Sequence, residues 1–264
     1  MPKKGTRKTR SRVFAVAGIA AAAATAIVPT ASAAGGTQPL IIGGQDATED
    51  YSFMVSLQLE GQPFCGGALV DAEWVVTAAH CVAGAQPHQF ATRVGSREYS
   101  NGGTEAGISQ LVIHPDYTPE NPQPGADIAM VKLDRAIEQQ PIKIAAEAGG
   151  TETPTRILGW GQPCFEQNCE PPVVLQQLDT KIVADGLCSP FAPGGEICTD
   201  SDIPDAMGCF GDSGGPQIKG KPGEWELIGA TSRDGDADPT CATGTGIWTN
   251  VTAYSEWIGE QTGA

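Results

Sequence analysis

Short apolar runs, separated by glycine, proline and aspartate, recur along the chain after residue 40. The clearest are residues 53–59, 67–70, 109–113, 155–160 and 225–231. Runs of this length between turn-forming residues are typical of β-strands. Only residues 251–260 have helical spacing, with Tyr254, Trp257 and Ile258 on the apolar side. The pattern therefore predicts an all-β protein that ends in a helix, and it contains no repeat.

The N-terminus has a different pattern. Six lysines and arginines lie within residues 3–12, followed by an apolar, alanine-rich stretch over 13–28 and by Ala31-Ser32-Ala33. A basic start, an apolar stretch and small residues at a cleavage site predict a secretory signal peptide over residues 1–33. A membrane anchor is the alternative, but the apolar stretch is short for a membrane span. We therefore expect an extracellular protein that leaves the membrane after processing.

The net charge of the chain limits the classes of partner that we expect. It has 16 basic and 31 acidic residues, and residues 1–40 hold six of the basic and none of the acidic ones. Residues 41–264 therefore carry a formal charge of −21. Such a surface repels nucleic acid and anionic membranes, so we expect neither as a partner.

The chain contains eight cysteines, an even number that suits an oxidising compartment. Eight cysteines allow 105 disulfide connectivities, so the sequence alone does not fix the pairing. A metal site is the competing interpretation. No cysteine pair has the CxxC spacing and the three histidines are scattered, so we expect no metal.

A candidate nucleophile lies in Gly211-Asp212-Ser213-Gly214-Gly215-Pro216. A serine hydroxyl reacts only when a base lies within hydrogen-bond reach and a third group orients that base. His80 is the best base, because it follows an apolar strand and precedes Cys81. His88, after Pro87, and His114, before Pro115, are expected to be solvated.

Asp127 is the candidate for the third group. It opens residues 127–133, an otherwise apolar run, and a carboxylate that enters a buried strand is costly unless it has a partner. Each of the three residues alone has an ordinary structural explanation. Together, in the order His80, Asp127 and Ser213, they predict a catalytic triad.

The order and spacing of these segments resemble the chymotrypsin/trypsin family of serine endopeptidases, of a bacterial secreted type. The resemblance runs from Ile41 to about Ile258. It rests on Ile41-Ile42-Gly43-Gly44, Val55-Ser56-Leu57-Gln58, Cys65-Gly66-Gly67, residues 77–81, the Asp127 segment, Gly159-Trp160-Gly161, residues 211–216 and Trp248-Thr249-Asn250-Val251. It implies two six-stranded antiparallel β-barrels and a C-terminal helix. His80 and Asp127 would come from the first half and Ser213 from the second.

The same resemblance implies a disulfide pattern. It pairs Cys65 with Cys81, Cys188 with Cys198, and Cys209 with Cys241, which leaves Cys164 to pair with Cys169.

The resemblance also implies how the site is completed. The backbone N–H groups of Gly211 and Ser213 would form an oxyanion hole. Cleavage before Ile41 would free an amino group that pairs with Asp212, so residues 34–40 would be a propeptide and residues 41–264 the protease domain of a zymogen. The cut follows Leu40, so trypsin-like self-activation is not expected.

By the same resemblance, Met207 falls at the base of the substrate pocket, where trypsin-like enzymes carry aspartate. Methionine is apolar and adaptable and does not pair with lysine or arginine. Gly208 and Gly246 would flank the pocket and leave room. The sequence therefore predicts a preference for apolar residues before the cleaved bond.

Three further residues, Ser232, Arg233 and Asp234, have counterparts near the family's substrate pocket. Ser232 matches the family serine beside the catalytic aspartate, and is either a partner of Asp127 or an ordinary strand serine. Arg233 and Asp234 replace the usual aromatic residue and glycine. The alternative to an apolar preference is that Asp234 or Asp205 binds a basic side chain of the substrate.

The function predicted is that of a secreted serine endopeptidase. Its partners would be protein or peptide substrates and protease inhibitors, its state monomeric, and it would need no cofactor, since the acidic calcium loop of some relatives is absent from the sequence. An esterase using the same triad is one alternative. A non-catalytic, protease-like binding protein is the other, and the intact His80, Asp127 and Ser213 argue against it.

Overall fold

A computed structural model describes residues 1–2, 5, 41–118, 125–165, 169–238 and 240–263. Contacts divide the chain into Met1–Thr37 and Gln38–Ala264, and the architecture below is that of the second unit. The predicted signal peptide and propeptide lie almost entirely outside the described residues. Within the described ranges, no helix has the length and apolarity needed to cross a membrane.

The described chain is built mainly from strands. They are β1 (Gln45–Asp46), β2 (Met54–Leu59), β3 (Gln62–Asp71), β4 (Trp74–Thr77), β5 (Phe90–Val94), β6 (Thr104–Ala106), β7 (Ile108–Ile113), β8 (Ala129–Leu133), β9 (Lys143–Ile144), β10 (Pro154–Gly159), β11 (Gln176–Ile182), β12 (Glu196–Asp200), β13 (Pro216–Lys219), β14 (Glu226–Asp234) and β15 (Gly246–Asn250). The helices are α1 (Ala79–Val82) and α2 (Ser255–Thr262), with 3-10 turns at Pro87–Gln89, Asp185–Leu187 and Val251–Tyr254.

The first half is an antiparallel sheet of seven strands in the order β6-β5-β2-β3-β4-β8-β7. Its register positions two parts of the predicted triad. Thr77 at the end of β4 pairs with Ala129 at the start of β8. His80, just after β4, and Asp127, just before β8, therefore emerge at the same edge of the sheet.

The second half is a closed barrel. Strands β10, β11, β12, β15, β14 and β13 pair in that order and β13 returns to β10, so all six have two neighbours. Strand β1 adds to β11, and β9 pairs in parallel with β14. Ser213 lies in the loop that enters β13.

The all-β class, the chymotrypsin-like architecture and the short C-terminal helix are confirmed. The halves differ in one detail from two closed six-stranded barrels, because the described residues contain no pairing between β6 and β7. These edge strands are consecutive and are joined through Gly107. Strand β6 pairs with β5, and β7 pairs with β8. The short connection between β6 and β7 therefore joins the two edges of the sheet.

The predicted strands match β2, β3, β7, β10 and β14 to within a few residues. The predicted closing helix starts as a 3-10 turn before α2, where Ile258 is buried. All eight cysteines form the four predicted disulfides: Cys65–Cys81, Cys164–Cys169, Cys188–Cys198 and Cys209–Cys241.

Candidate active site

His80 and Asp127 are held together by two hydrogen bonds. His80 Nδ1 lies 2.7 Å from Asp127 Oδ2, and the His80 backbone N–H donates to Asp127 Oδ1 at 2.9 Å. The Asp127 side chain is 12% exposed and that of His80 34%. The carboxylate therefore orients an imidazole whose far edge stays accessible.

Further hydrogen bonds hold the side chain and the backbone of Asp127 in place. The Ser232 hydroxyl donates to Asp127 Oδ2 at 2.7 Å, and the Thr249 hydroxyl donates to the Asp127 carbonyl at 2.8 Å. Burial alone would raise the pKa of the Asp127 carboxyl, but the hydrogen bonds and charge of His80 and the Ser232 hydroxyl hold the pKa below its ordinary value. Of the two interpretations of Ser232, the structure supports the partner of Asp127.

A lowered pKa has a defined effect on stability. The Asp127 carboxylate is favoured in the folded chain, so it stabilises the fold at pH values above the pKa of the unfolded chain. That contribution is lost as the pH falls through the folded pKa.

The loop around Ser213 presents two unused donors. The N–H groups of Asp212, Gly214 and Gly215 all donate to backbone carbonyls. Those of Gly211 and Ser213 make no hydrogen bond to any described residue. Gly211 has φ +98°, which side chains other than glycine rarely adopt. The backbone therefore leaves two neighbouring donors for an anion beside the Ser213 hydroxyl.

Ser213 and His80 line one cavity together with Gly211, but no hydrogen bond joins their side chains. Catalytic hydrogen bonds are often long before substrate binds. The other histidines lie elsewhere. His88 is exposed as predicted. The prediction for His114 is wrong, because its side chain is only 12% exposed and its ring packs against those of Tyr254 and Trp257, with centroids 5.0 and 4.9 Å apart.

Asp212 is fully enclosed. Its carboxylate oxygens accept the N–H groups of Gly161 at 2.8 Å and Cys209 at 2.9 Å. Burial raises the pKa of this carboxyl to about 6, although both hydrogen bonds act in the opposite direction. A Cβ on Gly161 would lie 2.2 Å from Asp212 Oδ2, so only glycine fits there. Asp212 is thus a buried anion with no cation among the described residues near it.

Ile41 lies in the same region of the interior. Its side chain is fully buried, in an apolar cluster that includes Ala206, Met207 and Cys209. The new N-terminus predicted from the sequence would therefore begin on a residue already packed beside the Asp212 loop.

A small cavity beside Ser213 contains all five predicted pocket residues: Met207, Gly208, Ser232, Asp234 and Gly246. Its volume is about 180 Å³, and an apolar cavity of about 150 Å³ accommodates benzene. Met207 is 2% exposed, and Trp248 and the Cys209–Cys241 disulfide complete the apolar lining. The cavity has room for one side chain, and Ser232, Arg233 and Asp234 line it beside these apolar residues.

Gly246 lines the cavity, and a Cβ there would lie 2.5 Å from the Trp248 ring, so glycine at this position also makes room for tryptophan. One expectation about this pocket needs correction. Asp205 is exposed and does not line the cavity. Asp234 does line it; partial burial, followed by the charges of Asp236 and Asp238, raises the pKa of the Asp234 carboxyl.

The sequence analysis missed Glu196. Its buried carboxylate receives Arg233 Nη1 at 2.6 Å and Nη2 at 3.0 Å, and the N–H groups of Gly125 and Ala192 at 2.8 Å each. Gly125 lies two residues before Asp127, and Arg233 follows Ser232. Glu196 therefore ties together the two segments that hold the Asp127 carboxylate. Glu196 begins a buried strand, Glu-Ile-Cys-Thr-Asp, in which only two residues are apolar, so no apolar run in the sequence marked it.

The described residues contain one cluster with the composition of a metal site, Cys65, His80 and Cys81, whose potential ligand atoms lie within 4.8 Å. The two sulfurs form a disulfide, and zinc requires thiolates. The cluster therefore does not supply a metal-binding set.

Known proteins are similar to this chain in sequence and in fold. A family model described as Trypsin matches residues 41–258. "Trypsin theta" of Drosophila melanogaster is 33% identical over 233 residues, covering 83% of this chain and 84% of the relative. "Trypsin" of Saccharopolyspora erythraea is 32% identical over 235 residues, covering 85% and 99%. "Tryptase" of Mus musculus is 31% identical over 246 residues, covering 84% and 88%.

Among solved structures, neuropsin, titled a serine protease expressed in the limbic system of mouse brain, superposes with a TM-score of 0.73 at 26% identity, covering 84% of this chain and all of the other. The relatives come from insects and mammals as well as from a bacterium. They therefore do not single out the bacterial type expected from the sequence.

Proposed function

The chain belongs to the trypsin family of serine proteases, which are endopeptidases, and from that premise we propose that it cleaves peptide bonds with Ser213, His80 and Asp127. The observation that carries this assignment is the His80 Nδ1 to Asp127 Oδ2 contact of 2.7 Å, in the same region as a serine whose own N–H group and that of Gly211 make no hydrogen bond to any described residue.

The proposed reaction proceeds through an acyl-enzyme. Ser213 Oγ attacks the carbonyl carbon while His80 Nε2 takes its proton, and His80 then gives that proton to the leaving amine. Asp127 holds the imidazole tautomer and stabilises the imidazolium. The Gly211 and Ser213 N–H groups bind the developing oxyanion, and the loss of one such donor typically costs about 2.7 to 4 kcal/mol of transition-state stabilisation.

We propose that cleavage before Ile41 switches this site on. The Asp212 carboxyl is buried, which raises its pKa to about 6, and no cation among the described residues pairs with it. A new ammonium group on Ile41 would pair with it, which is favourable because an unpaired buried charge is costly. The pair would hold the Gly211 and Ser213 donors in their working geometry.

Asp212→Ala is expected to lower kcat of the protein cleaved before Ile41 by about 10²- to 10³-fold, the effect of losing an oxyanion donor. The variant should remain folded, since the four disulfides do not involve Asp212. Peptidase assays on the cleaved variant, with near-ultraviolet circular dichroism to verify folding, check this. Asp202→Asn changes a nearby exposed aspartate and should be neutral. A cleaved Asp212→Ala enzyme as active as wild type would refute the switch.

We further propose that the enzyme cleaves after apolar residues. Met207 puts a thioether where a cation-binding pocket needs a carboxylate. Arg233 at the rim is already neutralised by Glu196, with Nη1 2.6 Å from Oε1. The cavity of about 180 Å³ then favours phenylalanine, tyrosine, leucine or methionine before the cleaved bond.

A mixed peptide library is expected to be cut mainly after these apolar residues, with Met207→Asp moving cleavage towards lysine and arginine. Sequencing the products by mass spectrometry gives both profiles. If the wild-type protein cuts mainly after lysine or arginine, the apolar pocket is wrong. An Asp234→Asn variant that loses such cutting would then assign basic specificity to the rim carboxylate.

Trypsin-family proteases act on protein substrates and are usually secreted. We propose that this chain is exported, processed and active outside the cell as a monomer, with protease inhibitors among its partners.

A further inference from the structure

An ion pair lies beside the His80–Asp127 pair without belonging to it. Arg233 and Glu196 form a bidentate contact, with Nη1 2.6 Å from Oε1 and Nη2 3.0 Å from Oε2. The Glu196 side chain is 1% exposed and that of Arg233 31%. Arg233 stands in place of the usual aromatic residue of the family, so the fold itself does not require a charge pair here.

Hydrogen bonds fix both charges in place. The two Glu196 oxygens also accept the backbone N–H groups of Gly125 and Ala192, at 2.8 Å each. An ionised carboxylate only accepts hydrogen bonds, so it satisfies all four donors around it. Arg233 Nη2 donates in addition to the Pro190 carbonyl at 2.8 Å. The guanidinium charge therefore has a defined position.

A short path leads from this guanidinium to the base of the triad. Arg233 Nη1 donates to the Ser232 hydroxyl oxygen at 3.4 Å, and that hydroxyl donates to Asp127 Oδ2 at 2.7 Å. Asp127 Oδ2 in turn lies 2.7 Å from His80 Nδ1. Arg233 Nη1 is therefore at most about 9 Å from His80 Nδ1. A unit charge at that distance displaces a protonation equilibrium by about half a pH unit, at an effective dielectric constant of about 50.

Four other titratable side chains lie near Asp127, Glu196 or Arg233: His114, Tyr117, Tyr254 and Asp234. Burial lowers the pKa of the histidine and raises the pKa of the other three. All four are present in the wild-type protein and in every variant tested. Their own titration therefore cancels when variants are compared with wild type.

We propose that Glu196 is a positioning residue for the reaction, which holds the Arg233 guanidinium and cancels its charge, so that the His80 imidazolium forms without an opposing charge. This inference rests on the proposed function, because it concerns the base of the triad. Without Glu196, the Arg233 charge opposes the imidazolium and keeps the imidazole neutral to lower pH. Without Arg233, the Glu196 carboxylate favours the imidazolium instead. In the intact pair the two effects offset each other.

The test is the pH profile of kcat/KM for a phenylalanine ester, measured on the protein cleaved before Ile41. Its acid limb reports protonation of the base in the free enzyme. Glu196→Gln should move the acid limb to lower pH by about half a unit, and Arg233→Gln should move it to higher pH by a similar amount. The double variant carries neither charge and should coincide with wild type. The position of the limb is the readout, since Arg233 also lines the Met207 pocket and its loss can change the height of the profile.

Salt separates an effect of charge from one of packing. The Debye screening length falls from about 30 Å at 0.01 M to about 3 Å at 1 M ionic strength, so both shifts should shrink at the higher value. Glu49→Gln is the matched control. Glu49 Oε1 also pairs with a largely buried arginine, 3.4 Å from Arg156 Nη1, but neither residue lines a cavity that contains Ser213. This variant should leave the acid limb in place.

Opposite shifts that the double variant cancels support the proposal. An unmoved acid limb in both single variants overturns it. Shifts of the same sign, or a shift that the double variant retains, show that the substitutions act through packing and overturn it as well. If one single variant does not fold, the other single variant and the double variant still give the sign. A wild-type protein that does not hydrolyse the ester contradicts the triad instead.

Discussion

Ser213→Ala is expected to lower kcat for peptide hydrolysis by about 10⁶-fold, the size of effect seen when a triad serine is removed from a serine protease. The substitution removes the only atom that forms the acyl-enzyme. It leaves the backbone intact, including the hydrogen bond from the Gly66 N–H to the Ser213 carbonyl at 2.7 Å. The measurement is peptide and ester turnover, alongside labelling with a serine-directed organophosphorus reagent.

Ser100→Ala is the control for this change, because Ser100 is exposed and far from the site in the β5–β6 connection. It should retain both turnover and labelling. A Ser213→Ala protein that still labels or turns over would contradict the assigned nucleophile. A wild-type protein that cleaves esters but not peptides would favour the esterase, and one that neither labels nor cleaves would favour a binding protein.

Asp127→Asn is expected to lower kcat by about 10⁴-fold, as the corresponding change does in enzymes with this triad, with little loss of folding. The amide keeps the shape of the carboxylate but loses its charge. It therefore no longer holds the proton on His80 Nδ1, 2.7 Å away, or stabilises the imidazolium. Steady-state kinetics should show the loss in kcat, with a small change in KM, since Asp127 does not line the Met207 pocket.

The same strand provides a matched control. Asp127 lies two residues before β8 and Asp134 follows the strand directly, but Asp134 is exposed and pairs with Arg135. Asp134→Asn should keep kcat within about twofold, as surface changes usually do. If both substitutions have similar effects, the loss reflects strand β8 and not the triad.

Local patterns were sufficient to predict five of the strands, β2, β3, β7, β10 and β14, and the closing helix. The apolar runs that matched β2, β7 and β10 do so because a strand buried on one or both faces needs apolar residues, whatever its neighbours are. Asp127 was recognisable for a related reason, because an acidic residue at the head of an apolar run requires a partner. Glu196 had no such signal, because only Ile197 and Cys198 of its strand are apolar, and its partner Arg233 is 37 residues away in the chain.

The prediction that His114 is solvated was wrong for a related reason, because the contacts that bury it come from a distant part of the chain. A histidine before proline at a strand end has a local pattern typical of an exposed residue. Its burial depends on the 3-10 turn Val251–Tyr254 and on α2, which follow more than 130 residues later in the chain and place Tyr254 and Trp257 against the ring.

The sequence by itself determined the all-β class and which serine, histidine and aspartate are candidates for the triad, because these follow from residue chemistry and short-range spacing. With the family resemblance, it also determined the four disulfides. Only the tertiary structure decided that Gly211 and Ser213 keep free N–H groups, that Gly246 makes room for Trp248, and that Glu196 joins the segments that hold Asp127. The first two depend on the backbone conformation of a loop and of a strand, and the third on contacts between residues 37 and 71 positions apart in the chain. None of these is contained in short-range spacing along the sequence.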